Sequence, residues 1–395
     1  MKPILKKLSK SWLSKKSSKF HRSLFHKIDF DTQLIGIKGA RGSGKTTLLH
    51  QAAKVSSHKA SQILYISCDT AAMAGEDLFE IATEFSQFGG KLLLVDEIHK
   101  MDDFSIHLKS IYDFLDIQVL FSGSSAILLD HNKGDLSRRA TIFTLPILSF
   151  REFIALKNGL EFKSYSLEEL LENHEDIAFE IMQEVKPLEL FSYYKEYGAY
   201  PFFKESVNDY TMRLQEVINT TIESDLTYIF KIDVLKQNTL KKILSLLCTL
   251  TPYEINKSKL SNDANISWAT LSKYLTYMQK GALLELIVYQ NKQNQLNKAP
   301  KILLSNPNLF TVLCANADRG SLRESFFISQ LVSQHTVHNA LSGDFLIDEK
   351  YTIEIGGKSK DKKQIEGISK AYIAMDNIES GYDNVIPLWL FGFLY

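Results

Sequence analysis

Gly39-Ala40-Arg41-Gly42-Ser43-Gly44-Lys45-Thr46 is the stretch of this chain best equipped for chemistry. It fits the pattern G-x-x-x-x-G-K-[ST], a loop that cradles nucleotide phosphates. Glycines let backbone N–H groups turn toward phosphate oxygens, and a helix starting at the loop adds the positive end of its dipole. On this pattern Lys45 would reach the β- and γ-phosphates, the Thr46 hydroxyl would bind magnesium, and Gly39 through Thr47 would form the nucleotide-binding set. The expected ligands are ATP and Mg2+.

A second group follows at Leu92-Leu93-Leu94-Val95-Asp96-Glu97. An apolar strand ending in two carboxylates sets them at the carboxyl edge of a sheet, where ligands bind. There Asp96 would hold magnesium through water, and Glu97 would polarise the water that attacks the γ-phosphate. Next comes Ile117–Phe121, then Ser122-Gly123-Ser124-Ser125. A hydroxyl after this strand would orient the lytic water or sense the γ-phosphate, with Ser124 the foremost candidate; a plain serine cap is the alternative. Arg138, or its neighbour Arg139, is a candidate to stabilise transition-state charge, in the same copy or on a neighbouring one, against the alternative of an ordinary surface arginine.

These residues need a scaffold that delivers them to one place. Short apolar runs near 34–38, 62–67, 91–95, 117–122 and 141–145 predict buried strands, and helical stretches alternate with them. That alternation predicts an α/β core around a parallel sheet covered on both faces.

Taken together, Gly-x-Arg-Gly-Ser-Gly-Lys-Thr-Thr, Leu-Val-Asp-Glu-Ile-His-Lys, Ser-Gly-Ser-Ser, the arginine pair and Leu145-Pro146-Ile147-Leu148-Ser149-Phe150-Arg151-Glu152-Phe153 resemble prokaryotic AAA-type (P-loop) ATPases with an uncharacterised C-terminal half. The resemblance extends through Gly198–Pro201, Pro300-Lys301-Ile302 and Arg323-Glu324. It implies a P-loop NTPase core, ATP and magnesium binding, hydrolysis, and a link to DNA transactions or defence.

The domain boundaries expected are a basic arm (1–28), the ATPase core (29–150), a helical lid or linker (151–235), a winged helix-turn-helix (236–292) and a restriction-nuclease-like mixed α/β domain (293–395). In the lid, Arg151 is a candidate phosphate contact, weighed against a structural pair. The aromatic run Tyr193–Phe203 reads as core before it reads as a base-stacking platform. In the winged-helix segment, Ile255–Leu260 predicts a short helix, Asn262–Asn265 a turn, Ser267 the cap of a third helix ending at Gly281, and Leu283–Val288 a strand. The third helix would present Ser267, Trp268, Thr270, Ser272 and Lys273 to DNA, or serve only as a packing unit. In the last segment Glu324, Asp344 and Glu354 resemble a nuclease's acidic set, with Asp344, Glu354 and Lys358 a possible second metal site. Glycine stands at 356, where the nuclease pattern has lysine, so a domain that has lost its chemistry is an open alternative. The final apolar run Ile386–Tyr395 predicts a buried strand.

Composition fits a soluble globular chain: 395 residues, 45% hydrophobic, 23% charged, net charge zero. No global field therefore draws it to nucleic acid. The charge is uneven, however, because no acidic residue precedes Asp29. The arm carries Ile4, Leu5, Leu8, Trp12 and Leu13 at roughly helical spacing, suited to a nucleic acid backbone, an anionic membrane surface, or packing on the next domain. No apolar run approaches the roughly 18 residues that span a bilayer. Cys68, Cys248 and Cys314 are far apart and odd in number, form no metal-like pair and suggest a reducing cytoplasm. A homo-oligomer is a further expectation, tied to an arginine acting between copies.

Overall fold

The computed structural model describes residues 2–123, 136, 138–248, 257–290, 300–358, 360 and 363–395. The chain divides into two compact units, Met1–Pro146 and Ile147–Tyr395.

In the first unit the short apolar runs are long enough for strands and too short for helices. They form β1 (Leu34–Lys38), β2 (Ile63–Ser67), β3 (Leu92–Asp96), β4 (Gln118–Gly123) and β5 (Thr141–Thr144). Neighbours pair in parallel in the order β2-β3-β4-β1-β5. Hence β4 lies between β3, which ends in the carboxylates, and β1, which ends in the glycine-rich loop.

The helices of this unit are α1 (Pro3–Leu13), α2 (Lys45–Val55), α3 (Leu78–Gln87) and α4 (Phe104–Phe114). Side chains alternate across a strand, so β1 to β4 each feed two cores, whereas the edge strand β5, expected from the sequence to be buried, is largely exposed. Leu64, Val95 and Phe121 join Ile81, Phe85 and Leu108 of α3 and α4 on one face. Ile35, Ile37, Leu94 and Leu120 join Leu48 and Leu49 of α2 on the other. The basic arm folds as α1 along the edge strand β2. Leu5 enters the first cluster and Trp12 the second. Ser9 Oγ accepts a hydrogen bond from the Tyr65 N–H at 2.9 Å, satisfying an amide that an open edge would leave bare. The buried face of α1 is thus spent on its own sheet, while Lys6, Lys7 and Lys10 stay exposed.

The second unit opens with helices at Phe150–Asn158, Leu167–Met182, Pro187–Tyr193, Tyr210–Thr220 and Val234–Leu247. Ser149 and Glu152 close a capping box on the first of them. The aromatic run is core: Tyr194, Tyr200 and Phe203 are buried, and Phe150 meets Phe191, Tyr194, Trp389 and Phe393 edge-on. Helices Lys257–Ala264 and Trp268–Lys280 follow, then β6 (Leu284–Ile287) and β7 (Lys301–Leu304), which pair antiparallel. After a helix at Arg319–Leu331 come β8 (Val337–Asn339), β9 (Phe345–Ile347), β10 (Tyr351–Gly356), β11 (Ala371–Met375) and β12 (Val385–Pro387). Their order is β12-β11-β10-β9-β8, parallel from β10 to β12 and antiparallel elsewhere. The protein is therefore α/β: a P-loop NTPase core with a five-stranded parallel sheet, followed by a helical region and a mixed-sheet C-terminal region.

Three local expectations need correction. The short helix runs on to Ala264, and the turn begins only at Asn265, whose φ of 56° is left-handed. The final apolar run is strand only to Pro387, which has no N–H to offer a ladder; Leu388–Phe393 then coils as a buried 3-10 helix. The cysteines are not three separate thiols. Cys248 and Cys314, 66 residues apart, form a disulfide, and Cys68 is free. Each partner directly follows a helix, Val234–Leu247 or Asn308–Leu313, and their Cα atoms lie 5.3 Å apart. With the pair goes the argument from thiols for a reducing compartment. Among the described residues no helix is long and apolar enough to cross a membrane.

Candidate functional site

The glycine-rich loop leaves the end of β1 and closes onto α2. Gly39 has no room for a side chain, because a Cβ there would overlap the Leu145 carbonyl oxygen. Gly42 and Gly44 take φ of 80° and 101°, the left-handed region that costs glycine little. Ser43 N–H donates to the Ala40 carbonyl at 3.2 Å, and Leu48 N–H to the Gly44 carbonyl at 3.0 Å. Lys45 is buried, and its ammonium donates to the loop's own carbonyls, Gly39 at 3.0 Å and Ala40 at 2.9 Å. Thr46 and Thr47 are exposed on the first turn of α2; Ala40 and Arg41 are partly exposed.

β3 delivers Asp96 beside this loop. Asp96 is 3% exposed, and its Oδ2 accepts from Thr46 Oγ1 at 2.7 Å and from Tyr65 OH at 3.1 Å. Its Oδ1 accepts from Ser122 Oγ on the adjacent strand and from the Glu97 N–H at 3.2 Å. Glu97 sits at φ 51°, a left-handed conformation costing a non-glycine residue about 1 kcal/mol or more. Its N–H also reaches Ser122 Oγ at 3.3 Å. Buried His99 places Nδ1 3.4 Å from Glu97 Oε2. Burial, with Asp96 next, pushes the Tyr65 phenol up, so Tyr65 stays a donor. The same two causes push the Cys68 thiol up to about 12, which makes it a poor nucleophile.

The residues present fit a magnesium nucleotide. Ser43 Oγ is fully buried and makes no hydrogen bond, a donor held in reserve inside the loop. A hydroxyl and a carboxylate, the hard oxygen donors magnesium prefers, meet at Thr46 and Asp96.

The other candidates fare differently. Ser124 lies outside the described residues; the hydroxyl that β4 delivers to Asp96 is that of Ser122, its penultimate residue. Arg139 is committed to Asp113, with Nε and NH2 at 2.8 and 2.9 Å from its two oxygens, and holds that carboxyl below its ordinary range. Arg138 is exposed. Arg151 donates to the main-chain oxygens of Phe162 at 2.7 Å and Tyr395 at 2.9 Å, a structural role.

Two residues outside the motifs, Tyr65 and Arg22, belong to the site, as do Ser122 and His99 from within them. Arg22 is buried and donates through NH1 to the Ser43 carbonyl and through NH2 to the Pro146 carbonyl, both at 2.8 Å. It braces the phosphate loop from below. Arg22→Met leaves both carbonyls without those donors, and each orphaned acceptor costs about 1–3 kcal/mol. The expected result is a first unit that unfolds at clearly lower urea and binds nucleotide more weakly; an unchanged urea midpoint would contradict the bracing role.

The second unit holds a separate buried set of charges. Lys301 Nζ lies 2.8 Å from Glu324 Oε2 and 3.3 Å from Asp344 Oδ1. Asp344 Oδ2 accepts from the Ile355 N–H at 2.8 Å. Fully buried Glu354 is ion-paired with Lys360. Burial raises the Glu324 carboxyl to about 7 against the pull of Lys301, and raises Glu354 in the same direction. Lys358, the expected partner, is exposed on a turn. The Gly356-Gly357 step carries the chain past it, and the Lys360 side chain returns to fill the space a Cβ on Gly356 would take. Among the described residues no three His, Cys, Asp or Glu side chains are grouped to hold a metal ion.

Residues 31–154 match the model of an AAA domain, and residues 188–319 match a domain of unknown function, DUF8612. The uncharacterized protein MJ1637 of Methanocaldococcus jannaschii is 27% identical over 287 residues; the match covers 68% of this chain and 60% of that protein's length. Among solved structures, similar chains include a DNA replication initiation factor (TM-score 0.27, 14% identity, 67% of this chain and 84% of that one). Others are AMPPCP-bound DnaA from Aquifex aeolicus (0.23, 14%, 69% and 86%) and the S. cerevisiae Hsp104–ADP complex (0.33, 16%, 68% and 41%). Scores this low carry no argument about function. Residues 31–154 thus match an AAA domain in sequence and carry the five-stranded parallel sheet of a P-loop NTPase fold.

Proposed function

We propose that the chain binds ATP with Mg2+ at Gly39–Thr46 and hydrolyses it at the ends of β1, β3 and β4. The observation that carries this reading is the 2.7 Å hydrogen bond from Thr46 Oγ1 to Asp96 Oδ2, which joins two motifs 50 residues apart into one site. Lys45 would exchange the Gly39 and Ala40 carbonyls for β- and γ-phosphate oxygens. Thr46 and Asp96 would hold the magnesium ion, which neutralises charge on the phosphates. Glu97 would take the proton of the attacking water, with His99 fixing its carboxylate and Ser122 fixing that of Asp96. Exposed Arg138 is the phosphate arginine of this proposal, in the same copy or a neighbouring one, because Arg139 is held by Asp113. Phosphate release from ATP by the purified chain, dependent on Mg2+ and abolished by EDTA, tests the reading.

DNA is the partner class this proposal names for the second unit. Three helices followed by the antiparallel pair β6–β7 support a winged helix-turn-helix reading, with Ser267 and Lys273 exposed for phosphate contact. A second, nuclease reading of the C-terminal sheet is favoured by Lys360, whose stem replaces the side chain missing at Gly356 and whose ammonium meets Glu354. On this reading Glu354 and Asp344 would hold a divalent cation and Lys360, not Lys358, would supply the ammonium. It predicts Mg2+- or Mn2+-dependent nicking of supercoiled plasmid that Glu354→Ala and Lys360→Ala abolish and Lys358→Ala spares. Plasmid left intact by the wild-type chain with either metal, with and without ATP, would reject it.

A further inference from the structure

Three side-chain hydroxyls hold Asp96, and one of them lies outside every sequence motif. Thr46 comes from the phosphate loop, and Ser122 from the strand between the two catalytic strands. Tyr65 comes from β2, the edge strand. We propose that Tyr65 is a positioning residue for Asp96, and that Trp12 of α1 holds Tyr65 in place, so that the basic N-terminal helix sets the affinity of the site for magnesium. The inference rests on the reading that Asp96 serves a magnesium nucleotide.

The contacts form a short chain within one unit. The Trp12 ring lies flat on the Tyr65 ring, with centroids 3.7 Å apart and planes 5° apart. Tyr65 is held at both ends: its N–H by Ser9 of α1 at 2.9 Å, its hydroxyl by Asp96 at 3.1 Å. Trp12 also meets His50 edge-on at 4.7 Å. His50 lies four residues after Thr46, on the same face of α2, one turn from the other donor to Asp96 Oδ2. Lys54 Nζ then donates to the Leu13 carbonyl at 2.6 Å, tying the end of α1 to α2.

A helix that merely covered a sheet edge would need an apolar face and a donor or acceptor for bare amides. Leu5 and Ser9 meet that need. It would not need an aromatic stack on a tyrosine whose hydroxyl ends on the metal carboxylate. Outer partners of this kind fix the orientation of a ligand and tune the metal's affinity. Displacing α1, for example by an anionic partner drawn to Lys6, Lys7 and Lys10, would loosen Tyr65 and release one of the three anchors of Asp96.

The test uses the full chain, a fluorescent ATP analogue and two titrations. Nucleotide affinity in EDTA reports the phosphate loop alone. The Mg2+ concentration that half-saturates the further gain in nucleotide affinity reports Asp96. Tyr65→Phe keeps the stack and removes only the hydroxyl, so it should raise that Mg2+ concentration about ten- to hundredfold, the range for losing an outer partner of a metal-binding side chain. Its nucleotide affinity in EDTA should change far less than its Mg2+ response, and its melting curve should stay cooperative. Trp12→Leu should raise the Mg2+ requirement in the wild-type background and add little to Tyr65→Phe. The proposal is overturned if Tyr65→Phe titrates with Mg2+ as the wild type does, or if the Trp12→Leu effect adds in full. Should Trp12→Leu fail to fold, Tyr65→Phe decides alone. A wild-type chain with no Mg2+-dependent gain at all would remove the ATPase reading itself, and this inference with it.

Discussion

Lys45→Ala is expected to weaken ATP binding by about two orders of magnitude or more, because it deletes the buried loop ammonium that would meet the β- and γ-phosphates. Lys45 is 4% exposed, and its ammonium sits on the Gly39 and Ala40 carbonyls, at hydrogen-bond distance from the loop it would serve. Little movement is then needed for it to reach phosphate oxygens, and a positive charge in so dry a place interacts strongly with them. Alanine also strips those two carbonyls of their donor, so part of any loss could come from a disordered loop. Lys45→Met separates the two effects, since it keeps the stem and its packing while removing the charge. Titration with a fluorescent ATP analogue should give nearly the same loss for both variants, with melting temperatures close to wild type. Binding retained within about threefold in Lys45→Met would place the phosphates elsewhere.

Glu97→Gln should do the opposite: ATP binding stays and turnover falls by about 10²- to 10⁴-fold, the range for removing a positioned general base. Glutamine has the same shape, so the strained backbone at φ 51° and its N–H bonds to Asp96 and Ser122 can persist. What changes is basicity. The amide cannot accept the proton of the attacking water, although it can still hydrogen-bond to it. The contrast is what identifies the role, because a damaged fold would lower binding and turnover together. Equal loss of both in Glu97→Gln would mean that Glu97 supports structure.

The parts of the site set by a stringent local demand were legible in the sequence. Phosphate binding needs glycines at positive φ and a loop between strand and helix, so Gly42, Gly44 and Lys45 declare themselves. Asp96 and Glu97 stand at the end of an unbroken apolar run, which can hardly be anything but a buried strand. The same logic located the five parallel strands, while the place of β4 between β3 and β1 came only with the sheet order.

Roles created by neighbours across the sheet left weaker signals. Ser122 reaches Asp96 because β4 runs two residues past the apolar run, to Gly123, on the strand beside β3. Tyr65 looks like an ordinary strand aromatic until its hydroxyl is seen on Asp96. Arg22 lies in a run of basic residues that composition treats as one charge patch, yet it is buried while its lysine neighbours are exposed. His99 carried a signal in its position two residues after Glu97. Lys360 displaces Lys358 because a double-glycine turn breaks the strand alternation on which the sequence argument relied. The Cys248–Cys314 pair depends on two helix ends meeting, which spacing along the chain does not encode.

The most direct test of the account is single-turnover hydrolysis of γ-labelled ATP by the full chain with excess Mg2+, wild type beside Glu97→Gln, with bound nucleotide measured in the same samples. The account predicts that both chains fill with ATP, that the wild type releases labelled phosphate, and that Glu97→Gln retains intact ATP over the same interval. Labelled phosphate released at the wild-type rate from a filled Glu97→Gln chain, or ATP held uncleaved by the wild type, would contradict it.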